Sequence, residues 1–325
     1  MSDVGKGVQR LRVVGLAGRT RKNPGDLVFE MFLFLMALML IGLIMMLFVE
    51  LLTGSWPAIQ TFGWRFLVEK TWDPVREQFG ALPAMYGTVV SSLLALAAAG
   101  PIGLLSAVFL AEFSPGWLER PLSFLIELLA SIPSVVYGLW GLFVLVPILR
   151  KVETSLGKVG GDLPFFSCTP WGIGMFAAVV ILSIMILPYT TAVARDVIRA
   201  VPRDQREAML ALGATRWEAI WHVVIPYARS GIIGGLMLAL GRALGETMAV
   251  TMLIGNRPEM SLCLFNPAYT LASQIANEFT EATSEVYLAA LVELGLVLFA
   301  ITFIMNILAR LLVLSVSGGM RGGRQ

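Results

Sequence analysis

Arg242 and Glu246 stand four residues apart near the middle of an otherwise apolar run, SGIIGGLMLALGRALGETMAVTMLIG. An arginine at the centre of a membrane helix costs about 2.5–3.5 kcal/mol on insertion scales, so it faces a bundle interior or a hydrated cavity rather than lipid. On a continuous helix Glu246 falls one turn from Arg242 on the same face. Gly231, Gly235 and Ala249, spaced 11, 7 and 7 residues from Arg242, join that face and let a neighbouring helix or a solute approach the backbone closely. Two chemistries fit the pair. In one, the guanidinium grips a tetrahedral oxyanion through two N–H donors and the carboxylate neutralises it when no solute is present. In the other, the two charges form an internal ion pair that only hides them from lipid. The pair itself does not say which anion. Glu127 and Glu293, in two other apolar runs, are weaker candidates of the same type, unless they lie in the interfacial zone or pair with another subunit.

A second group of charged residues stands outside the apolar runs, in AVPRDQREAMLALGATRWEAIWHVVIP from Ala200 to Pro226. Asp204 with Glu207, and Thr215 with Glu218, have the spacing of capping boxes, in which a side-chain oxygen satisfies an early helix amide while the glutamate reaches back. Two short helices are predicted. Gly213 separates them, because glycine takes the left-handed conformation without steric penalty, and Pro226 is expected to end the second. A charged helical block between two apolar stretches suits a handle for a soluble motor.

That motor is not in this chain. A phosphate loop requires G-x-x-x-x-G-K-[ST], and Gly-Lys occurs only at Gly5-Lys6 and Gly157-Lys158, followed by glycine and valine. An intramembrane enzyme needs a nucleophile with a base, or a metal cluster, at membrane depth. The one histidine, His222, sits in the charged block beside Trp221, where it reads as a surface or interfacial residue. No enzymatic role, cofactor or metal is expected in this chain. An ion-coupled secondary transporter is a further alternative, though it would need its own coupling-ion site and no exposed helix for a motor.

The elements that position these residues follow from composition. With 57% hydrophobic and 14% charged residues among 325, the chain belongs in a bilayer. Crossing about 30 Å of hydrocarbon takes roughly 20 apolar residues as a helix. Stretches near 28–52, 84–111, 122–149, 172–194, 230–254 and 286–313 qualify. An all-α membrane protein with six transmembrane helices in one domain over 28–314 is therefore expected. Gly100-Pro101, Pro133 and Pro188 are internal breakers that free carbonyls toward protein or water. With the N-terminus inside, the inner segments hold sixteen lysines and arginines and the outer segments seven. That bias places both termini and the segment 195–229 in the cytoplasm. The flanks are then a basic tail over 1–27, which meets anionic lipid headgroups, and a short tail over 315–325. The net charge of +2 is a topology signal, not evidence for nucleic acid. Trp56, Trp64 and Trp72 in the outer segment 53–83 read as interfacial anchors or a docking face for an external partner. Cys168 and Cys263 both fall outside, where a disulfide is permitted; the alternative is two small apolar loop residues.

The charged block also resembles the EAA signature of ABC importer permeases. Glu207, Ala208, Met209 and Gly213 fit it, with Val223, Ile225 and Pro226 at the I-x-L-P positions and Met209 replacing the second alanine. GRALGETMAVTMLIGN at 241–256, WDPVREQFGALPAMYGT at 72–88, SIPSVVYGLWGLFVLVP at 131–147 and ANEFTEA at 276–282 resemble phosphate importer permeases, specifically the C subunit. The resemblance runs from about 72 to 314. It implies the MetI-like fold of type I ABC importers, N-in and C-in, in a bacterial plasma (inner) membrane. It implies as partners a second related permease, two copies of a cytoplasmic ATPase that binds the ATP and magnesium, an external phosphate-binding protein, and phosphate as solute. Arg242 and Glu246 match the family's intramembrane arginine and glutamate. Gln205 to Leu212 matches the coupling helix, with Glu207 and Ala208 shaping the docking surface and Gly213 permitting the turn after it. A permease for sulfate or molybdate would share the helix and the fold.

Overall fold

The computed structural model describes residues 24–159, 165 and 168–318. The tails expected over 1–27 and 315–325 lie outside these residues, apart from 24–27 and 315–318. The chain divides into two units between Val49 and Glu50. The first contributes the exposed apolar start of helix α1 (Pro24–Phe62), from Leu27 to Val49. The second holds the rest of α1 and everything after it.

Thirteen helices are described. After α1 come α2 (Arg65–Val68), α3 (Leu82–Val108), α4 (Gly116–Ser131), α5 (Ser134–Trp140), α6 (Val146–Val159) and α7 (Met175–Arg199). Then follow α8 (Arg203–Ala211), α9 (Arg216–Ala219), α10 (Ile225–Leu244), α11 (Met248–Leu253), α12 (Leu271–Glu278) and α13 (Glu285–Gly318). Wider π turns at 109–113, 141–145 and 220–224 extend α3, join α5 to α6, and join α9 to α10. Among the described residues there is no strand, only the isolated bridges Asp73–Gln78 and Gly255–Ala268. Six helical stretches there are long and apolar enough to cross a membrane: 24–62, 82–113, 134–158, 175–199, 216–244 and 285–315.

Two expected spans are corrected. The run 122–149 is not one helix, because α4 stops at Ser131 and the crossing stretch begins at Ser134. Ile132, before Pro133, is extended (φ −66°, ψ 129°), the conformation that a following proline ring favours. Pro101 and Pro188 do not interrupt their helices. Near Pro188, Thr190 and Thr191 each donate to the Leu187 carbonyl, so hydroxyls supplement the ladder there. The run 230–254 is broken as well, at Gly245–Thr247.

The bundle is centred on α3 and α7, which pack together most extensively, with α10 against both. Small residues make the approach possible: Ala95, Ala99, Ala178, Ala239 and Ala243 are buried in one cluster. Gly103 lies against Thr190, and Gly231 and Gly235 lie against Val197 and Val193. The loop from Gly255 to Thr270 closes the other end of α7. Leu253, Asn266 and Leu264 carbonyls accept from the N–H groups of Gly174, Met175 and Phe176 at 2.9, 3.0 and 2.7 Å. These satisfy amides that a helix start leaves without intrahelical partners. A Cys168–Cys263 disulfide ties the segment before α7 to this loop.

Trp72 is not an interfacial anchor. It is buried against Phe79 and Tyr287, and its indole N–H donates to Glu278 Oε2 at 2.6 Å. Tyr287 donates to the same oxygen at 2.7 Å. Trp64, in contrast, is 86% exposed. Hydrogen bonds to a charged acceptor contribute about 1.5–3 kcal/mol each. Glu278→Ala is therefore expected to lower the thermal midpoint of the detergent-purified protein by several degrees, and Trp72→Phe by less, since one of the two bonds survives.

Candidate functional site

Arg242 lies in the last turn of α10, and its guanidinium carbon sits 4.7 Å from the centroid of the Tyr189 ring. Its Nε is buried without a hydrogen-bond partner. Glu246 is not one helical turn further along. It stands in the break, 8% exposed, and its Oε1 accepts from the N–H of Ala249 at 3.4 Å. A carboxylate that caps the start of α11 competes with the continuous ladder expected through Gly245. Among the described residues no ion pair joins Arg242 to Glu246. The common face drawn for Gly231, Gly235 and Ala249 is also lost: the two glycines meet α7, whereas Ala249, on α11, meets Gly138 of α5.

Tyr189 brings two interrupted segments together. Its ring lies against Arg242, and its hydroxyl donates at 3.0 Å to the carbonyl of Ala130, just before the α4–α5 break. Tyr137 donates to the neighbouring Leu129 carbonyl at 2.8 Å. An arginine unpaired with any carboxylate among the described residues, beside two places where the backbone leaves the helical ladder, is suited to hold an anion. The two other candidate acids do different things, and Glu127 lies outside the crossing stretches. Glu127, on α4, pairs with Arg195 of α7 at 3.3 Å and is 61% exposed at its side chain. Glu293 is buried on α13 with Oε2 unpartnered.

The charged block forms a platform at one end of the bundle. Helix α8 has no buried residue; Glu207 and Ala208 are exposed and Met209 half-buried. Gly213 ends the turn with φ +87° and open space around its Cα, as expected. Thr215 and Glu218 make the expected capping box. Asp204 and Glu207 do not: Pro202 is the cap residue, without a side-chain bond, and Asp204 sits inside the first turn. Pro226 does not terminate a helix either. It opens α10, directly after the π turn whose closing bond runs from Ile225 N–H to Ile220 O. The stretch 216–244 stays helical through it, and the π turn before Pro226 already departs from the regular ladder, which is where a missing N–H is accommodated. His222 is exposed, with Nδ1 3.0 Å from the Glu218 carbonyl.

Between this platform, the start of α4 and the end of α7 lies a cavity of about 800 Å³, lined among others by Glu112, Glu119, Arg199, Arg203, Arg206 and Arg216. Arg206 crosses it to Glu112, and Arg199 pairs with Glu119. Neither Arg206 nor Tyr189 stands out in the sequence, since their partners lie 94 and 59 residues away.

Residues 99–318, which include both the platform and the α10–α11 break, match the model of the family described as binding-protein-dependent transport system inner membrane component. The chain belongs to that family. Among curated members of this transport family, it is 48% identical over 273 residues to the phosphate transport system permease protein PstC of Mesorhizobium japonicum, covering 82% of this chain and 84% of the relative. The Pasteurella multocida protein of the same name is 48% identical over 272 residues, covering 82% and 85%. A solved chain of the MetNI methionine ABC transporter, in an inward-facing conformation, shares the fold. Its TM-score is 0.57 at 18% identity, over 76% of this chain and 99% of that one. The chain is a multi-pass inner membrane component, a transport subunit rather than a catalytic enzyme.

Proposed function

We propose that this chain is a permease subunit of an ATP-driven importer of inorganic phosphate. It forms half of the translocation pathway, and a separate cytoplasmic ATPase supplies the energy. The observation that carries the reading is the joint presence of the exposed helix α8, a handle with no buried residue, and an arginine that has no carboxylate partner among the described residues at a broken span. The relatives named for phosphate transport support the solute.

In this reading both termini and α8 face the cytoplasm, within a single permease domain whose coupling segment runs over 195–229. A second, related permease completes the pathway. Two ATPase subunits bind ATP and magnesium, one docking on α8 through Glu207 and Ala208, with Gly213 turning the chain after it. An external binding protein delivers phosphate. Closure of the ATPases moves α8, and the spans rock between inward-facing and outward-facing states around Arg242. Shifting such an equilibrium from 1:99 to 99:1 takes about 5.5 kcal/mol of differential binding, a scale that ATP and the docked binding protein supply together. Arg242 attracts the oxyanion as it passes, and Glu246 fixes the break that exposes the guanidinium.

The test is uptake of radiolabelled phosphate into proteoliposomes holding this chain, its partner permease, the ATPase and the binding protein. Uptake is expected to require ATP and all four components and to ignore excess sulfate. Uptake blocked by sulfate would overturn the solute, and uptake without ATP would overturn the coupling.

A further inference from the structure

We propose that Arg206 is the strut that converts movement of α8 into movement of the spans, with Glu112 as its seat; this rests on the reading of α8 as the ATPase-docking helix. The need for a strut follows from how α8 is held. It buries no residue and packs on α9 and the π turn 220–224. The cavity of about 800 Å³ separates its platform from the start of α4 and the end of α7. A helix seated that way can tilt without taking the bundle with it.

Arg206 removes that freedom. Its Nε donates to Glu112 Oε1 at 2.9 Å, and Nη2 lies 2.8 Å from the same oxygen. Nη1 donates to the Val201 carbonyl at 2.6 Å and Nη2 to the Ile198 carbonyl at 2.8 Å. One planar group thus grips the π turn that extends α3, the last turn of α7, and the linker after it. Among the described residues it is the α8 side chain whose hydrogen bonds reach the spans. Arg206 and Glu112 are only 18% and 15% exposed at their side chains, so water screens the pair weakly. The ends it grips are themselves joined. α3 and α7 form the most closely associated pair in the bundle, and α7 is bonded onward to α4 through Arg199–Glu119 and Arg195–Glu127. A push on α8 therefore reaches α3, α4 and α7 as a unit, and α10 through Val193 and Val197. The fork geometry is essential, because a lysine presents one point charge and cannot hold a carboxylate and two carbonyls in fixed directions.

The experiment uses the assembled four-component complex in proteoliposomes. Arg206→Ala, Arg206→Lys and the near-isosteric Glu112→Gln are compared for phosphate transported per ATP hydrolysed and for ATPase retained on purification. A cross-link from Asp204→Cys, an exposed position in the first turn of α8, to the ATPase is followed in the same backgrounds. The ratio of transport to hydrolysis is expected to fall about tenfold in Arg206→Ala and Glu112→Gln, and less in Arg206→Lys, with ATPase and cross-link retained. An unchanged ratio would overturn the strut. So would loss of the ATPase or failure of the variants to assemble, which would make the pair an element of assembly. Failure of the parent reading shows separately, as absence of the cross-link in the chain carrying only Asp204→Cys while transport continues.

Discussion

Replacing Arg242 by glutamate is expected to lower phosphate uptake by at least about a hundredfold, while the complex still inserts and assembles. The guanidinium lies beside the Tyr189 ring, and among the described residues no ion pair neutralises it, so its charge acts on a passing oxyanion. Reversing it repels the solute at the same point. Assembly survives because, among the described residues, Arg242 forms no ion pair whose loss would leave a buried carboxylate alone. Arg195 serves as the contrast: it is buried and holds both Glu127 and Asp196, and its removal should reduce the amount of folded protein. Arg242→Lys keeps the charge and loses the fork, so uptake should fall without vanishing. Uptake and pull-down of the partner permease and ATPase, measured on the same preparations, check the expectation. Loss of assembly in Arg242→Glu would assign the arginine to structure instead.

The second large effect is on stability. A Cβ on Gly87 meets the carbonyl oxygen and carbon of Tyr269. Both are backbone atoms, and neither can turn aside as a side chain does. The strand of chain they belong to is fixed from both directions. Thr88, next to Gly87, accepts from the N–H of Leu271 at 2.8 Å and donates to Ala84 at 2.8 Å. Thr270 and Ser273 form the capping box that starts α12. Gly87→Ala should therefore cost about 3 kcal/mol, at the upper end of overpacking effects. Its thermal midpoint in detergent should drop further than that of Glu278→Ala. Gly234 provides the opposite sign: nothing lies within 4 Å of a Cβ there, so Gly234→Ala should be neutral or stabilise α10 by up to about 1 kcal/mol. Equal responses at the two positions would rule out the close approach of α3 to Tyr269.

The apolar runs were legible because lipid demands long unbroken stretches, and all six coincide with crossing helices at least in part. The breaks were not. Four prolines looked alike in the sequence, yet Pro101 and Pro188 ride inside helices, Pro226 opens one, and only Pro133 marks an interruption. What separates them is tertiary: which neighbour satisfies the freed backbone group, and whether a π turn precedes. Glu246 was misplaced for the same reason, since i+4 spacing assumes the helix continues. On the platform, Thr215 and Glu218 were readable because a capping box is wholly local. Arg206 was not, because its meaning lies in Glu112 and in the carbonyls of Ile198, at the end of α7, and Val201, in the linker after it. Trp72 likewise cannot be told in the sequence from an interfacial tryptophan, because Glu278, which accepts from its indole, lies 206 residues further on.

The start of α7 carries a consequence for the order in which the chain is made. Its first amides are satisfied by carbonyls of Leu253, Leu264 and Asn266, residues synthesised roughly 80 to 90 positions later, at chain elongation rates a matter of seconds or more. The fourth crossing helix therefore enters the bilayer with its end unfinished, and it is completed only when the loop after α11 has emerged. The Cys168–Cys263 bridge closes over that same junction. Its formation in pulse-labelled cells would mark the moment at which the two halves of the bundle come together.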